Sequence, residues 1–242
     1  MTIESIDRIA PTRRPLDRLA GYQQWRSLLF LHWPMPVDLL RRLVPAALTL
    51  DLYEGTAYVG VVPFAMQAVR PWWISPRLAL RFLETNVRTY VLYRDRPGVY
   101  FFSLDASSRL AVAGARTGWG LPYHFARMSL VRSENEFTSF TQRRSNGAVH
   151  HARYRVGEAL GASEPGTLQH FLLERYLLFV QRGGRIFTGQ VHHTPYPVQS
   201  VEVLAVQEEL IAAAGFPAVQ GPPALAHYSP GVDVEIFPLR SR

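Results

Sequence analysis

At 242 residues the chain is long enough for one large or two small domains, and a chain of that size buries most of the surface its unfolded form exposes, so the core needs no covalent staple. Hydrophobic residues at 48% and charged residues at 19% exclude a disordered or fibrous chain, and the absence of cysteine excludes disulfides, thiolate nucleophiles and thiolate metal or iron–sulfur sites. All 26 basic residues are arginine, which excludes every lysine Schiff base, a pyridoxal phosphate aldimine included, and a P-loop lysine.

A net charge of +7 raises nucleic acid as a partner, but the distribution of charge argues against it. Residues 1–155 carry 21 Arg against 11 acids and residues 156–242 carry 5 against 8, with no run of like charge longer than Arg13-Arg14, Arg41-Arg42 or Arg143-Arg144. The N-terminus alternates Glu4, Asp7, Arg8, Arg13, Arg14, Asp17 and Arg18 with no apolar core, unlike a secretory signal or an acid-free transit peptide. No stretch reaches the ~20 apolar residues of a membrane span. The expectation is a cytoplasmic protein with neither a nucleic-acid nor a membrane partner; homo-oligomerisation stays open.

In chain order, residues 1–19 are expected to form a mobile leader and residues 20–242 one domain. Trp25 to Trp33 is apolar and aromatic enough for a buried strand, ended by Pro34 and Pro36, and Asp38 to Leu43 reads as a short helix stopped by Pro45. Leu48 to Tyr53 and Ala57 to Phe64 form a hairpin about Glu54-Gly55; Leu83 to Tyr93 and Val99 to Asp105 form another about Arg94 to Gly98. Ser107 caps a helix to Ala115, and Tyr123 to Arg132, Phe137 to Arg144 and His150 to Val156 are three strands with tight turns. Thr167 caps a helix to Tyr176, followed by two strands about Gly183-Gly184, the second being Arg185 to His192. Val201 to Gln207 is a strand, Glu208 to Ala214 a helix closed by Gly215, and two short strands lie near Tyr228 and Ile236. About a dozen strands with few short helices predict a mainly β, mostly antiparallel barrel or sandwich.

The most informative strand is Leu83 to Val91, where alternation puts Glu84, Asn86, Arg88 and Tyr90 on one face and Leu83, Val87 and Val91 on the other. An acid, an amide, a guanidinium and a phenol in one row can grip a small polar ligand. Equally, a half-buried strand shows water its polar side. Facing an interior instead, these charges would need partners or a ligand. Of His192-His193 and His150-His151 only one residue of each pair can serve a given site, since neighbours on a strand point to opposite faces; no local chelate, G-x-S-x-G or phosphate loop is present, and no metal or cofactor is expected.

The runs Phe30-Leu31-His32-Trp33-Pro34, Gly60-Val61-Val62-Pro63-Phe64, Glu84 to Tyr90, Phe101 to Asp105, Leu121-Pro122-Tyr123 and Gly189 to His193 resemble the uncharacterised bacterial YqjF-like family (domain of unknown function 2071), colinearly over about residues 20–240. That family is placed in the acetoacetate decarboxylase-like superfamily, and the resemblance implies a closed antiparallel β-barrel with a few short flanking helices and an internal ligand cavity. The decarboxylase signature has the form G-R-E-x-x-G-x-P-K-K. Aligned on Gly120-Leu121-Pro122, it puts Tyr123 at the Schiff-base lysine, His124 beside it and Arg116 on the signature arginine, with Ala115 and Thr117 in place of its glycine and glutamate. Glu84 resembles an active-site glutamate of the decarboxylases. Iminium decarboxylation is therefore excluded, and acid–base chemistry remains. Tyr123, His124 and Glu84 are the candidate catalytic residues, and Arg88, Arg116, Asn86 and His192 the candidate binding residues, an arginine holding a carboxylate bidentately. Two functions compete: a lyase, hydratase or isomerase acting on a small oxo- or carboxylate compound, and a non-catalytic small-molecule binder of the same fold.

Overall fold

The computed structural model describes residues 6–241. The chain runs β1 (Gly21–Met35), α1 (Val37–Leu43), β2 (Thr49–Leu50), β3 (Ala57–Pro71), β4 (Leu80–Tyr93), β5 (Arg96–Ala106), α2 (Arg109–Trp119), β6 (Tyr123–Ser133), β7 (Glu136–Arg143) and β8 (Val149–Gly161). It continues through α3 (Leu168–Leu173), β9 (Leu177–Arg182), β10 (Arg185–His192), β11 (Val198–Glu208), α4 (Leu210–Ala213), β12 (Leu225–Ile236) and β13 (Arg240–Ser241). The fold is mainly β, as expected. No described helix is long and apolar enough to cross a membrane.

All the strands join one 13-stranded sheet, in the order β13-β10-β9-β5-β6-β7-β8-β11-β12-β1-β3-β4-β2, with β4 also pairing β5 and β10 also pairing β12. A walk along the pairings from β5 through β9, β10, β12, β1, β3 and β4 thus returns to β5. Two of the contacts, β5–β6 and β5–β9, are parallel, a departure from the antiparallel expectation. The reason is connection length: α2 lies between β5 and β6, and a crossover of this size lets the chain re-enter the sheet in the same direction.

Several boundaries move for local reasons. β1 runs on through Pro34, because its ladder with β12 stops at His32↔Leu225 and only β3 flanks it there, so the missing N–H is not needed on the open side. The first expected hairpin shrinks to a Tyr53↔Thr56 bridge, and Thr49 and Leu50 pair β4 instead. The second is tighter than expected: Arg94 and Asp95, both at positive φ, make the turn, while Pro97 and Gly98 pair with Leu92 and Val91. Gly98 is there for proximity, since a Cβ would sit 2.6 Å from the Leu177 carbonyl oxygen of β9. The N-cap of α2 is Ser108, one residue later than expected, and the two terminal strands merge into β12 with β13 beyond.

Part of the stretch expected as a leader is described, from residue 6 on, and it makes ion pairs with the domain. Arg8 pairs bidentately with Asp51 at 2.6 Å, Arg14 with Glu235 at 2.6 Å and Asp17 with Arg240, and Pro11 is buried.

Alternation along β3 sends Tyr58, Val62, Phe64 and Met66 to one apolar cluster and Ala57, Val59 and Val61 to another that holds Leu210, Ile211 and Phe216. β3 and β4 are therefore covered on both faces, which explains their near-continuous apolar sequences. Val61, Phe64, Val87, Val91 and Leu104 are buried, whereas Phe102 is only half-buried.

Candidate functional site

Because both faces of β4 are covered, its polar row does not lie on the protein surface: Glu84, Asn86, Arg88 and Tyr90 are all buried. The solvent-facing alternative for this row is overturned. Glu84, Asn86 and Arg88 line a cavity of about 470 Å³. Each strand of the circuit contributes to its wall, for example Leu28 of β1, Phe64 of β3, Phe101 of β5, Leu178 of β9, Val191 of β10 and Ile236 of β12, and Ala111 and Trp119 of α2 cover part of it.

Two groups meet midway along the cavity. α2 ends at Gly120 in the left-handed conformation, and Leu121-Pro122 then deliver Tyr123 to the start of β6. There the Tyr123 hydroxyl donates to Glu84 Oε2 at 2.7 Å. Burial drives the Glu84 carboxyl up to about 7, against the opposing pull of hydrogen bonds from Tyr123 and Asn86. Burial, and then the Glu84 charge, push the Tyr123 phenol well above its usual range, so it stays a hydroxyl. The pair therefore holds one exchangeable proton near neutral pH, on the carboxyl.

The deep end of the cavity is cationic. Arg88 donates from Nη2 to the Leu172 carbonyl oxygen of α3 at 3.2 Å, lies 5.6 Å from the Phe30 ring, and has no hydrogen-bond partner at Nε. It makes no ion pair among the described residues. Arg175, just past α3, also lines the cavity; it donates from Nη1 to Asp51 at 2.7 Å and from Nε to the Phe171 carbonyl oxygen at 2.6 Å, and its Nη2 is unpartnered. Burial lowers its guanidinium to about 10, and Asp51 opposes that shift. Asn86 Oδ1 is a third buried polar atom here without a partner. Beneath them Tyr90 donates to the Leu172 carbonyl oxygen and contacts His32 Nε2 at 2.7 Å; burial first, then the Arg88 charge, hold His32 neutral.

The other expected site residues lie elsewhere. His124 follows Tyr123 on a strand and so faces away from the cavity, toward Arg143, Asp105 and Arg116. Arg116, exposed on α2, donates from Nε to the Tyr123 carbonyl oxygen at 2.6 Å and so braces the start of β6 from outside. His192 contacts the Thr12 carbonyl oxygen at 3.1 Å and fastens the N-terminal stretch. Its neighbour His193 is buried against Tyr176 and Tyr196, and that burial lowers it to about 4. No group of three metal-ligating side chains occurs among the described residues.

The family model of DUF2071, described as an uncharacterised conserved protein, matches residues 22–233. The chain belongs to the DUF2071 family. It is 38% identical over 220 residues to the uncharacterised protein YqjF of Bacillus subtilis (strain 168), covering 90% of each chain. Among solved structures it is similar to acetoacetate decarboxylase from Legionella pneumophila, with TM-score 0.63, 13% identity and coverage of 100% of this chain and 97% of the other. It is also similar to the enduracididine biosynthesis enzyme MppR complexed with pyruvate, with TM-score 0.63, 11% identity and coverage of 95% and 93%. Identities this low establish a shared fold for this DUF2071 member and nothing about its chemistry.

Arg175, Tyr176 and Tyr196 are cavity residues that the sequence reading passed over. A signal was present for the first two: Glu174-Arg175-Tyr176 interrupts the apolar stretch Phe171 to Val180, and charges inside such a stretch are buried by context and need partners.

Proposed function

We propose that this protein binds a small carboxylate- or oxo-bearing compound in its internal cavity and moves a proton on it with the Glu84–Tyr123 pair. In this reading the strand circuit is a closed β-barrel around the ligand. The observation that carries it is Arg88: a buried guanidinium lining a cavity, with an unpartnered Nε and, among the described residues, no acid in ion-pair contact. A buried cation in that position costs stability unless an anion completes it, and a carboxylate fits the guanidinium in two-pronged geometry. That a protein of similar fold is complexed with pyruvate supports the same class of ligand here.

With the carboxylate on Arg88, the adjacent carbons lie toward Glu84, two inward positions along β4. Ionised Glu84 takes a proton from the carbon next to the ligand carbonyl; the C–H electron pair forms the enolate C=C bond, and the carbonyl π pair moves to oxygen. Return of the proton from Glu84 to either carbon or oxygen reverses or completes an isomerisation. No ε-amine exists in the chain, so no iminium forms on an internal side chain.

The test is a thermal-shift and calorimetric screen of small oxo- and hydroxy-acids against nucleotides and apolar compounds. Oxo- and hydroxy-acids are expected to stabilise the protein, and Arg88→Ala to abolish the shift. Binding hits in deuterium oxide are then followed by NMR for exchange of the hydrogen next to the carbonyl, lost in Glu84→Gln. Unchanged binding in Arg88→Ala overturns the reading; binding without exchange leaves the non-catalytic binder. Incubation with acetoacetate or pyruvate and borohydride leaves the protein mass unchanged.

A further inference from the structure

Resting on the anion-binding reading just given, the shape of the cavity also says what the anion is attached to. β4 serves as a ruler. Its inward positions from the floor outward are Arg88, Asn86, Glu84, Phe82 and Leu80, ~6.6 Å apart at the usual strand rise. Opposite them on β3, Val62 faces Asn86, Phe64 faces Glu84, Met66 faces Phe82 and Val69 faces Leu80. Among the described residues that line the cavity, the unpartnered buried polar atoms belong to the floor, on Asn86, Arg88 and Arg175. Past Glu84 the wall turns hydrocarbon, with Phe82, Met66 and Leu80 on the sheet side and Ala111, Ala115 and Trp119 on the α2 side. Polar groups in this outer section are the Trp25 indole N–H, which donates to the Gln23 amide oxygen at 2.8 Å, and, at the rim, Arg70, which lies over Tyr22 and donates to the Ile74 carbonyl oxygen.

A volume of about 470 Å³ is roughly three times that of a cavity that holds one benzene. A three- or four-carbon oxo-acid would occupy the floor and leave the hydrocarbon section facing water, forgoing the burial that drives most small-molecule binding. We infer that the ligand is a carboxylic or oxo-carboxylic acid with an extended apolar body, an acyl chain of about eight to ten carbons or an arylalkyl equivalent. Its carboxylate sits at Arg88 and Arg175. The carbons next to it pass Glu84 and Tyr123, and its hydrocarbon lies between Phe82, Met66 and Trp119.

The probe is a series of straight-chain 2-oxo acids from three to ten carbons, below their aggregation limits, titrated calorimetrically into the full-length protein with the methyl esters as controls. Each added methylene is expected to raise affinity about fourfold, levelling off near eight to ten carbons. Ala111→Phe is expected to bring the plateau forward by several carbons. Arg88→Met is expected to weaken every acid about tenfold or more while keeping the slope. Equal affinity from three to ten carbons, or a plateau that Ala111→Phe does not move, overturns the long-body inference and leaves the anion floor standing. Esters binding as tightly as acids, or no acid binding at any length, overturns the anion floor itself.

Discussion

Arg88 and Arg143 are the same residue type at similar depth, 8% and 3% exposed, on opposite sides of one wall, and they are treated in opposite ways. Arg143, at the end of β7, gives Nε and Nη2 to the two oxygens of Asp105 at 2.8 and 2.7 Å, and Nη2 also to Ser103 at 2.7 Å. That is a complete two-pronged pair inside the fold. Arg88 has one carbonyl bond, two aromatic neighbours and an idle Nε beside a cavity. The difference teaches how to separate a structural buried charge from one held for something outside the chain: burial does not distinguish them, but completeness of the partner set does.

Removal of Arg143 breaks that comparison most severely if it is wrong. Arg143→Ala strands Asp105 in the interior and is expected to cost about 3–5 kcal/mol in chemical denaturation. The next effect is in pH. The raised Glu84 carboxyl means that the folded protein holds this proton more tightly than the unfolded chain; the resulting stabilisation is full below about pH 4.5 and is lost as pH rises through about 7. Its span is roughly 3 kcal/mol, and Glu84→Gln is expected to flatten this part of the stability–pH curve. Tyr123→Phe removes a hydrogen bond that favours the carboxylate, so the midpoint of that loss should move up by about one pH unit. The smallest expected effect is that of Arg88→Met on the ligand-free protein, a change of less than about 1 kcal/mol, since no acid is abandoned. A loss matching that of Arg143→Ala would erase the distinction between the two arginines.

Much of this is written in period-two spacing. Alternation placed Glu84, Asn86, Arg88 and Tyr90 on one face, and only coverage of both faces by packing decided that the face is internal. Tyr123 was legible through the Gly120-Leu121-Pro122 register, and the structure brings its hydroxyl to Glu84. His124 was misplaced by proximity in sequence, which on a strand guarantees the opposite face. The Asp51–Arg175 contact spans 124 residues, and no local pattern encodes a partner so far away. The prolines of β1 and the turn at Arg94-Asp95 misled for a related reason, since whether a missing N–H or a positive φ is tolerated depends on which strand lies alongside.

Asp51 is shared. Arg8 holds it with both guanidinium Nη atoms, and Arg175 reaches the same Oδ2 oxygen from the cavity side. One carboxylate thus serves two cations, one fastening the N-terminal stretch and the other, Arg175, lining the cavity with its Nη2 buried and unpartnered. Trimming the chain ahead of Ala20 would release Asp51 wholly to Arg175 and remove a positive charge from behind the floor. The N-terminal stretch thereby acts as a competitor that keeps the floor electropositive, and a shortened protein should hold anions less tightly although no residue lining the cavity, Ala20 included, has been touched.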